Sequence, residues 1–177
     1  MNIRLATASD LALCLKLDSS YETDTVWQME SEVMGDCAQV ALRPVRLPRP
    51  VTVPNPVDSR VLRADWDARQ CFLLAEERGH LLGYLDMTTE LWATPRAGEE
   101  SAEGVNGSAS RGLIQQLTVT RAARRNGVGS YLLKSGLAWA EQNDLRQVMA
   151  TLSTKDYPGI KLLEKFGFTF CGFNDAY

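Results

Sequence analysis

A single histidine, His80, serves the whole 177-residue chain. It stands beside Gly79 in an expected hairpin turn, which leaves almost no room for a histidine-based triad or a zinc site. Cysteine is also sparse: Cys14, Cys37, Cys71 and Cys171 are widely spaced and include no Cys-x-x-Cys pair. That pattern builds neither a metal cage nor a disulfide frame, so no metal is expected and buried free thiols are predicted. No apolar run approaches the length of a membrane span, and Met1–Leu5 lacks a signal-peptide core. A cytoplasmic location is the default, with no membrane partner. Basic excess is missing as well. A net charge of −3 and a pI near 5.3 argue against nucleic acid and agree with a cationic substrate.

What is present fits one domain spanning residues 1–177, with 45% hydrophobic and 23% charged residues. Ile3–Ala6 reads as a strand, and Ser9 is placed to cap a helix carrying Leu11 and Leu15 on one face. Thr25–Glu30 and Ala38–Leu42 flank Gly35-Asp36, which predicts a β-hairpin. Five prolines between residues 43 and 57 keep that stretch extended, as a connector or edge. Val57–Gln70 is helix-like with Trp66 as its anchor, and Cys71–Ala75 pairs with Leu81–Met87 across Arg78-Gly79. Residues 93–111 read as a mobile loop. A strand to Val119, a helix over Gly127–Gln142, a strand over Gln147–Leu152, a helix from Pro158 to Gly167 and a strand over Phe168–Phe173 follow.

The most informative segment is Gln116-Leu117-Thr118-Val119-Thr120-Arg121-Ala122-Ala123-Arg124-Arg125-Asn126-Gly127-Val128-Gly129-Ser130. An alternating strand ends in a basic elbow, two spaced glycines follow, and a helix begins. Backbone amides at such a helix start, aided by the helix dipole and by Arg124 and Arg125, suit a diphosphate. A side chain at Gly127 would hold phosphate off the backbone, and one at Gly129 would lift the helix off the sheet. The dinucleotide fingerprint fails because Leu132 stands where its third glycine belongs, and the P-loop fails because no lysine separates Gly129 from Ser130.

The remaining pattern, Arg124-x-x-Gly127-x-Gly129, resembles the acetyl-CoA loop of the GCN5-related N-acetyltransferases, the GNAT superfamily. Leu17–Trp27, Trp92 and Gly167–Phe173 resemble, within it, the streptothricin (nourseothricin) acetyltransferases, over most of the chain. The resemblance implies an α/β fold: the GNAT acyl-CoA N-acyltransferase fold, a mixed, mostly antiparallel sheet flanked by helices. It implies acetyl-CoA as donor and a small-molecule amine as acceptor, acetylated by direct attack in a ternary complex. Cofactor contacts fall on Leu117, Thr118, Val119, Arg124, Arg125, Asn126, Gly127, Val128, Gly129, Ser130 and Asp156. The fold usually has one more strand, so the chain is expected to continue past Tyr177; the alternatives are a neighbouring chain, as in a homodimer, that fills the gap, or an open slot in the sheet.

Two departures stand out. Leu163 occupies the position where many GNAT enzymes carry a tyrosine acid, and Gln115 and Gln116 stand where resistance acetyltransferases tend to carry acids. A thiol of pKa ~8.5 leaves as thiolate at pH 7 with a deficit of roughly 2 kcal/mol, whereas deprotonating an amine of pKa ~10.4 costs about 4.6 kcal/mol. A base or water route therefore matters more than the acid. Glu90, Asp86, Glu22 and Asp24 are the candidate acids for that route, each also readable as solvated charge, and Tyr157 is the candidate replacement acid. Trp27 and Trp92, with Glu22 and Asp24, would wall the acceptor pocket, with core burial an equal alternative for the tryptophans. Two other functions stay open: a protein or peptide N-acetyltransferase, and a non-catalytic acyl-CoA-binding module.

Overall fold

The computed structural model describes residues 1–54, 62, 66, 69–92 and 109–172. The chain divides into two compact units, Met1–Ser20 with Asn55–Thr151 and Tyr21–Pro54 with Leu152–Tyr177.

The first unit is built on a five-stranded sheet: β1 (Asn2–Leu5), β4 (Cys71–Glu77), β5 (His80–Trp92), β6 (Ala109–Val119) and β7 (Gln147–Ala150), adjacent in that order. Every pairing is antiparallel except β6 with β7. The β4–β5 hairpin closes through Arg78 and Gly79, both with positive φ, as a two-residue turn matched to strand twist requires. Cys71–Ala75 is buried throughout because both sheet faces are covered. On one face Phe72, Leu74 and Tyr84 join Cys14 of helix α1 (Leu11–Cys14) and Leu62. The Phe72 ring stacks on Tyr84 with centroids 5.2 Å apart and meets Trp66 at 5.1 Å. On the other face lies helix α2 (Val128–Gln142), burying Leu132, Leu133, Gly136 and Ala140. The helix approaches the sheet closely at Gly136, where a Cβ would sit 3.0 Å from Leu85.

The second unit contains the ribbon of β2 (Tyr21–Met34) and β3 (Cys37–Val53) and helix α3 (Tyr157–Lys165). The predicted hairpin is present and much longer than its Gly35-Asp36 turn alone suggested, running out to the pair Tyr21–Val53. Register slips between Thr23 and Thr25, opposite the stretch from Arg46 to Val51. Pro48 and Pro50 lie there and have no N–H to give a ladder. Helix α3 starts at Asp156, whose carboxylate accepts the Gly159 amide at 2.9 Å, and Pro158 fits its first turn.

Several expectations need correction. The first helical turn is capped at Thr7, not Ser9, because Asp10 reaches back to the Thr7 amide and hydroxyl at 2.8 Å each. Strand β6 begins at Ala109, so the loop expected over 93–111 ends sooner, and residues 93–108 lie outside the described residues. Of the helix expected over 57–70, Leu62 and Trp66 are helical and most of the rest lies outside them. Residues 168–172 are not a strand: β-type sequence becomes one only when another edge takes up its amides, and none of the described residues pairs there. All four cysteines are free, but only Cys14 and Cys71 are buried. Burial pushes those two thiols up to about 11 and about 12, so neither is a nucleophile at neutral pH.

Asp10 also takes both terminal nitrogens of Arg4 at 2.8 Å, and this guanidinium holds its carboxyl well below the usual carboxylate range. A depressed acid stabilises the fold fully above its unfolded pKa of about 3.9 and loses that contribution as pH falls through the lower folded value. Asp10→Asn is expected to cost about 2 kcal/mol at pH 7. Urea unfolding should show its gap from the parent chain closing as pH drops below about 4.

Candidate functional site

Strand β6 is paired on both sides only as far as Ile114, the partner of Ala150 in β7. At that point it bulges: Met87 faces Ile114 and Asp86 faces Gln116, leaving Gln115 as the extra residue. Gln116, Leu117, Thr118 and Val119 then continue the ladder with β5 past the end of the ladder with β7. A strand edge that outruns its neighbour in this way suits an extended ligand with amide groups of its own. Thr118 is buried, so a ligand on this edge meets its backbone and not its hydroxyl.

Beyond Val119 the chain makes a short 3-10 turn, Arg121–Ala123, anchored by buried Ala123. Arg124 then turns inward, donating Nε to the Val119 carbonyl at 3.1 Å and a terminal nitrogen to the Ser19 carbonyl at 2.6 Å. Its guanidinium braces the loop against the strand end, while Arg125 and Asn126 are exposed. Arg125 and Gly127 have positive φ of 64° and 81°. Gly127 is the N-cap of α2, and no side chain caps this helix. The Tyr131 amide donates to the Gly127 carbonyl at 3.0 Å, so Val128, Gly129 and Ser130 lead the helix with amides that have no intrahelical acceptor. Uncapped amides at the positive end of a 15-residue helix, beside exposed Arg125, make an anion cradle. The edge of β6 and this cradle are continuous, which suits a diphosphate carrying a long amide-containing arm.

Of the proton-handling candidates, Asp86 and Glu90 belong to the first unit and Glu22, Asp24 and Tyr157 to the second. Asp86 is 2% exposed and ion-paired with Arg69, and its Oδ1 has no hydrogen-bond partner among the described residues. Burial pushes its pKa up while Arg69 pulls it down, and without solvent contact it is a structural group, not a proton route. The backbone of Glu90 pairs with Arg111, and that of Trp92 with Ala109. The side chains of Glu90 and Trp92 lie outside the described residues.

In the second unit Glu22 is exposed on β2 and Asp24 sits half-buried at the register slip. Asp24 accepts the Thr25 hydroxyl at 3.0 Å and lies 3.5 Å from Arg46 Nε. Trp27 and Tyr157 face each other at 6.5 Å, and Lys161 Nζ lies 5.5 Å from the Trp27 ring and 5.7 Å from Tyr157. Trp27 also lines a cavity of about 410 Å³ with Val26, Leu47, Val51, Val53 and Thr154. Its buried Nε1 has no hydrogen-bond partner among the described residues. Leu163 is buried on α3.

Sequence reasoning missed one polar constellation. Tyr84, fully buried, donates its hydroxyl to Gln116 Oε1 at 2.6 Å and takes a side-chain hydrogen bond from Thr118. The signal was available: Tyr84 and Asp86 share the parity of Gln116 and Thr118 on facing strands. Among the described residues, no cluster of three or more His, Cys, Asp or Glu is arranged to hold a metal, and no helix is long and apolar enough to cross a membrane.

Comparison with known proteins agrees with this geometry. The profile of the Acetyltransferase (GNAT) family matches residues 41–168, most of the chain, and the chain belongs to that family. Its fold is that of the crystal structure of nourseothricin acetyltransferase, with a TM-score of 0.73, 23% identity, and coverage of 97% of this chain and 84% of the other. A provisionally assigned streptothricin acetyltransferase of Bacillus anthracis (strain Ames), solved with acetyl coenzyme A, gives a TM-score of 0.67, 16% identity and coverage of 97% and 85%. A provisionally assigned phosphinothricin acetyltransferase of Bacillus subtilis (strain 168), YwnH, is 28% identical over 115 residues. That match spans 62% of this chain and 63% of YwnH, under two thirds of its length. The family and the fold of this chain are therefore those of the GNAT acetyltransferases.

Gly127→Val forces a β-branched residue to φ 81° at the head of the cradle. Acetyl-CoA affinity measured by calorimetry is expected to fall tenfold or more, about 1.4 kcal/mol. An unchanged affinity would place the diphosphate elsewhere.

Proposed function

We propose that the chain transfers the acetyl group of acetyl-CoA to a primary amine of a small molecule, a streptothricin-like antibiotic among the acceptors, by direct attack within a ternary complex. The observation that carries this reading is β6 outrunning β7 and leading into the start of α2, which no side chain caps. Names of relatives that act on nourseothricin, streptothricin and phosphinothricin point to amine-bearing antibiotics as the acceptor class. The family match runs through both compact units, which supports residues 1–177 working as one acetyltransferase domain. A cytoplasmic location is part of the proposal, because the acetyl donor is made and used there.

Bound acetyl-CoA supplies an activated acyl carbon and a leaving thiol. The chain's own part is to hold and exclude. Amides of residues 128–130 and the charge of Arg125 take the diphosphate, with Arg124 bracing the loop from behind. The β6 backbone from Gln116 to Val119 holds the arm extended, and Asp156 keeps its capping bond at the head of α3. As the amine attacks, the new C–N bond forms, the C–S bond breaks and the nitrogen loses a proton. No acid stands at Leu163, and the thiol needs none: its deficit at pH 7 is only roughly 2 kcal/mol. The proton passes to water, or to Glu90, Asp24 or Glu22. Tyr157, against Trp27 and Lys161, reads better as a wall of the acceptor cavity than as an acid.

A second reading, acyl-CoA binding without turnover, is favoured by buried Leu163 and by the engagement of Asp86 with Arg69. Thiol release from acetyl-CoA with a panel of diamines, amino-acid amides and nourseothricin separates the two. Turnover is expected, with kcat/KM climbing from pH 6 towards pH 9 as the neutral fraction of an amine of pKa ~10.4 rises about tenfold per unit. Among Glu22→Gln, Asp24→Asn and Glu90→Gln, at least one is expected to depress the low-pH limb several-fold. Acetyl-CoA binding with no thiol released by any amine would establish the binding module instead.

A further inference from the structure

The Gln116 amide has a fixed polarity. Its Oε1 accepts the Tyr84 hydroxyl at 2.6 Å, and the Tyr84 oxygen in turn takes a side-chain hydrogen bond from Thr118. Tyr84 is 0% exposed and Thr118 2%, so this chain cannot swing away. With the oxygen of the amide committed inward, its Nε2 is left as the donor, and Gln116 itself is only half-buried. Its place matters as much as its polarity. Gln116 is the first residue after the β6 bulge and the end, farthest from the α2 cradle, of the stretch in which β6 outruns β7, three residues and about 10 Å from Val119. With the diphosphate at the cradle and the arm along that edge, the reactive end of the donor arrives at Gln116.

We infer that Gln116 is a specificity-determining residue that donates a hydrogen bond to the acceptor substrate, selecting amines that carry a carbonyl or carboxylate oxygen close to the nucleophilic nitrogen over plain polyamines. The inference rests on the acetyltransferase reading above. A carboxylate in this position would hold a second ammonium group, whereas an oriented amide N–H has nothing to offer a cation and matches an oxygen acceptor. Tyr84 and Thr118 act through Gln116 as positioning residues.

The test compares β-alaninamide with 1,3-diaminopropane, amines of equal length that differ in carrying an amide or a second ammonium. Their kcat/KM values are measured by thiol release at one pH. The parent chain is expected to prefer β-alaninamide. Gln116→Glu should shift the ratio towards the diamine by tenfold or more, and Gln116→Met, which removes the donor without adding charge, by about threefold. Tyr84→Phe, which frees the amide to turn, should shift the ratio in the same direction as Gln116→Met. A merely structural role would lower both rates together and leave the ratio in place, which would overturn the inference even for variants of reduced stability. Turnover by the parent chain with an unchanged ratio in the Gln116 variants overturns this inference alone. A parent chain that binds acetyl-CoA and acetylates neither these amines nor any other overturns the acetyltransferase reading with it.

Discussion

Every strand has two hydrogen-bonding edges, and the site in this protein depends on β6 losing one of them partway along. Up to Ile114 the strand is satisfied by β5 and β7. The extra residue Gln115 then bends it, the parallel ladder stops, and four residues continue paired with β5 beyond the end of β7. Buried or half-buried backbone amides left in that condition are costly unless something pairs with them. The bulge thus converts a sheet interior into a binding edge, and the same strand delivers the chain to the start of α2. Position and chemistry of the proposed donor site follow from one irregularity in register.

Polar groups inside the first unit are arranged to keep that irregularity rigid. Arg69 and Asp86 form an ion pair on the sheet face where Phe72 and Tyr84 stack. Such a pair is a weak source of net stability, yet breaking it by removing one partner costs about 3–5 kcal/mol because the other charge is left buried. Asp86 stands directly opposite Gln116 across the bulge. Burial also raises the Tyr84 phenol above its ordinary value, so it remains a donor throughout the working pH range. A face that reads as core therefore carries a line of oriented dipoles to the edge where the reaction is proposed to occur.

The balance of protons in the proposed acetyl transfer asks for little conventional acid–base machinery. Replacing an acid with Leu163 is tolerable when the leaving group is a thiol, and burying that leucine on α3 adds apolar packing instead. Removing the ammonium proton is the larger demand, and water access is a sufficient answer where the acceptor meets solvent.

Local chemistry made the strand, loop and helix around Gly127 readable. Positive φ at Gly127, the helix that starts after it and the alternation of Leu117 to Val119 are short-range properties, and they appear where the residues imply them. Turn residues likewise marked both hairpins, and Pro158 with Asp156 marked the start of α3. Other features depended on partners distant in sequence. Arg124 looks like a free cation until Ser19, 105 residues away, claims its guanidinium. Ser9 looks like the helix cap until Arg4 and Thr7 are seen to share Asp10. Phe168–Phe173 has strand composition, but composition supplies no second edge. The end of the β6–β7 ladder and the coupling of Tyr84 to Gln116 are facts of register, and register is decided only when strands far apart in the chain meet.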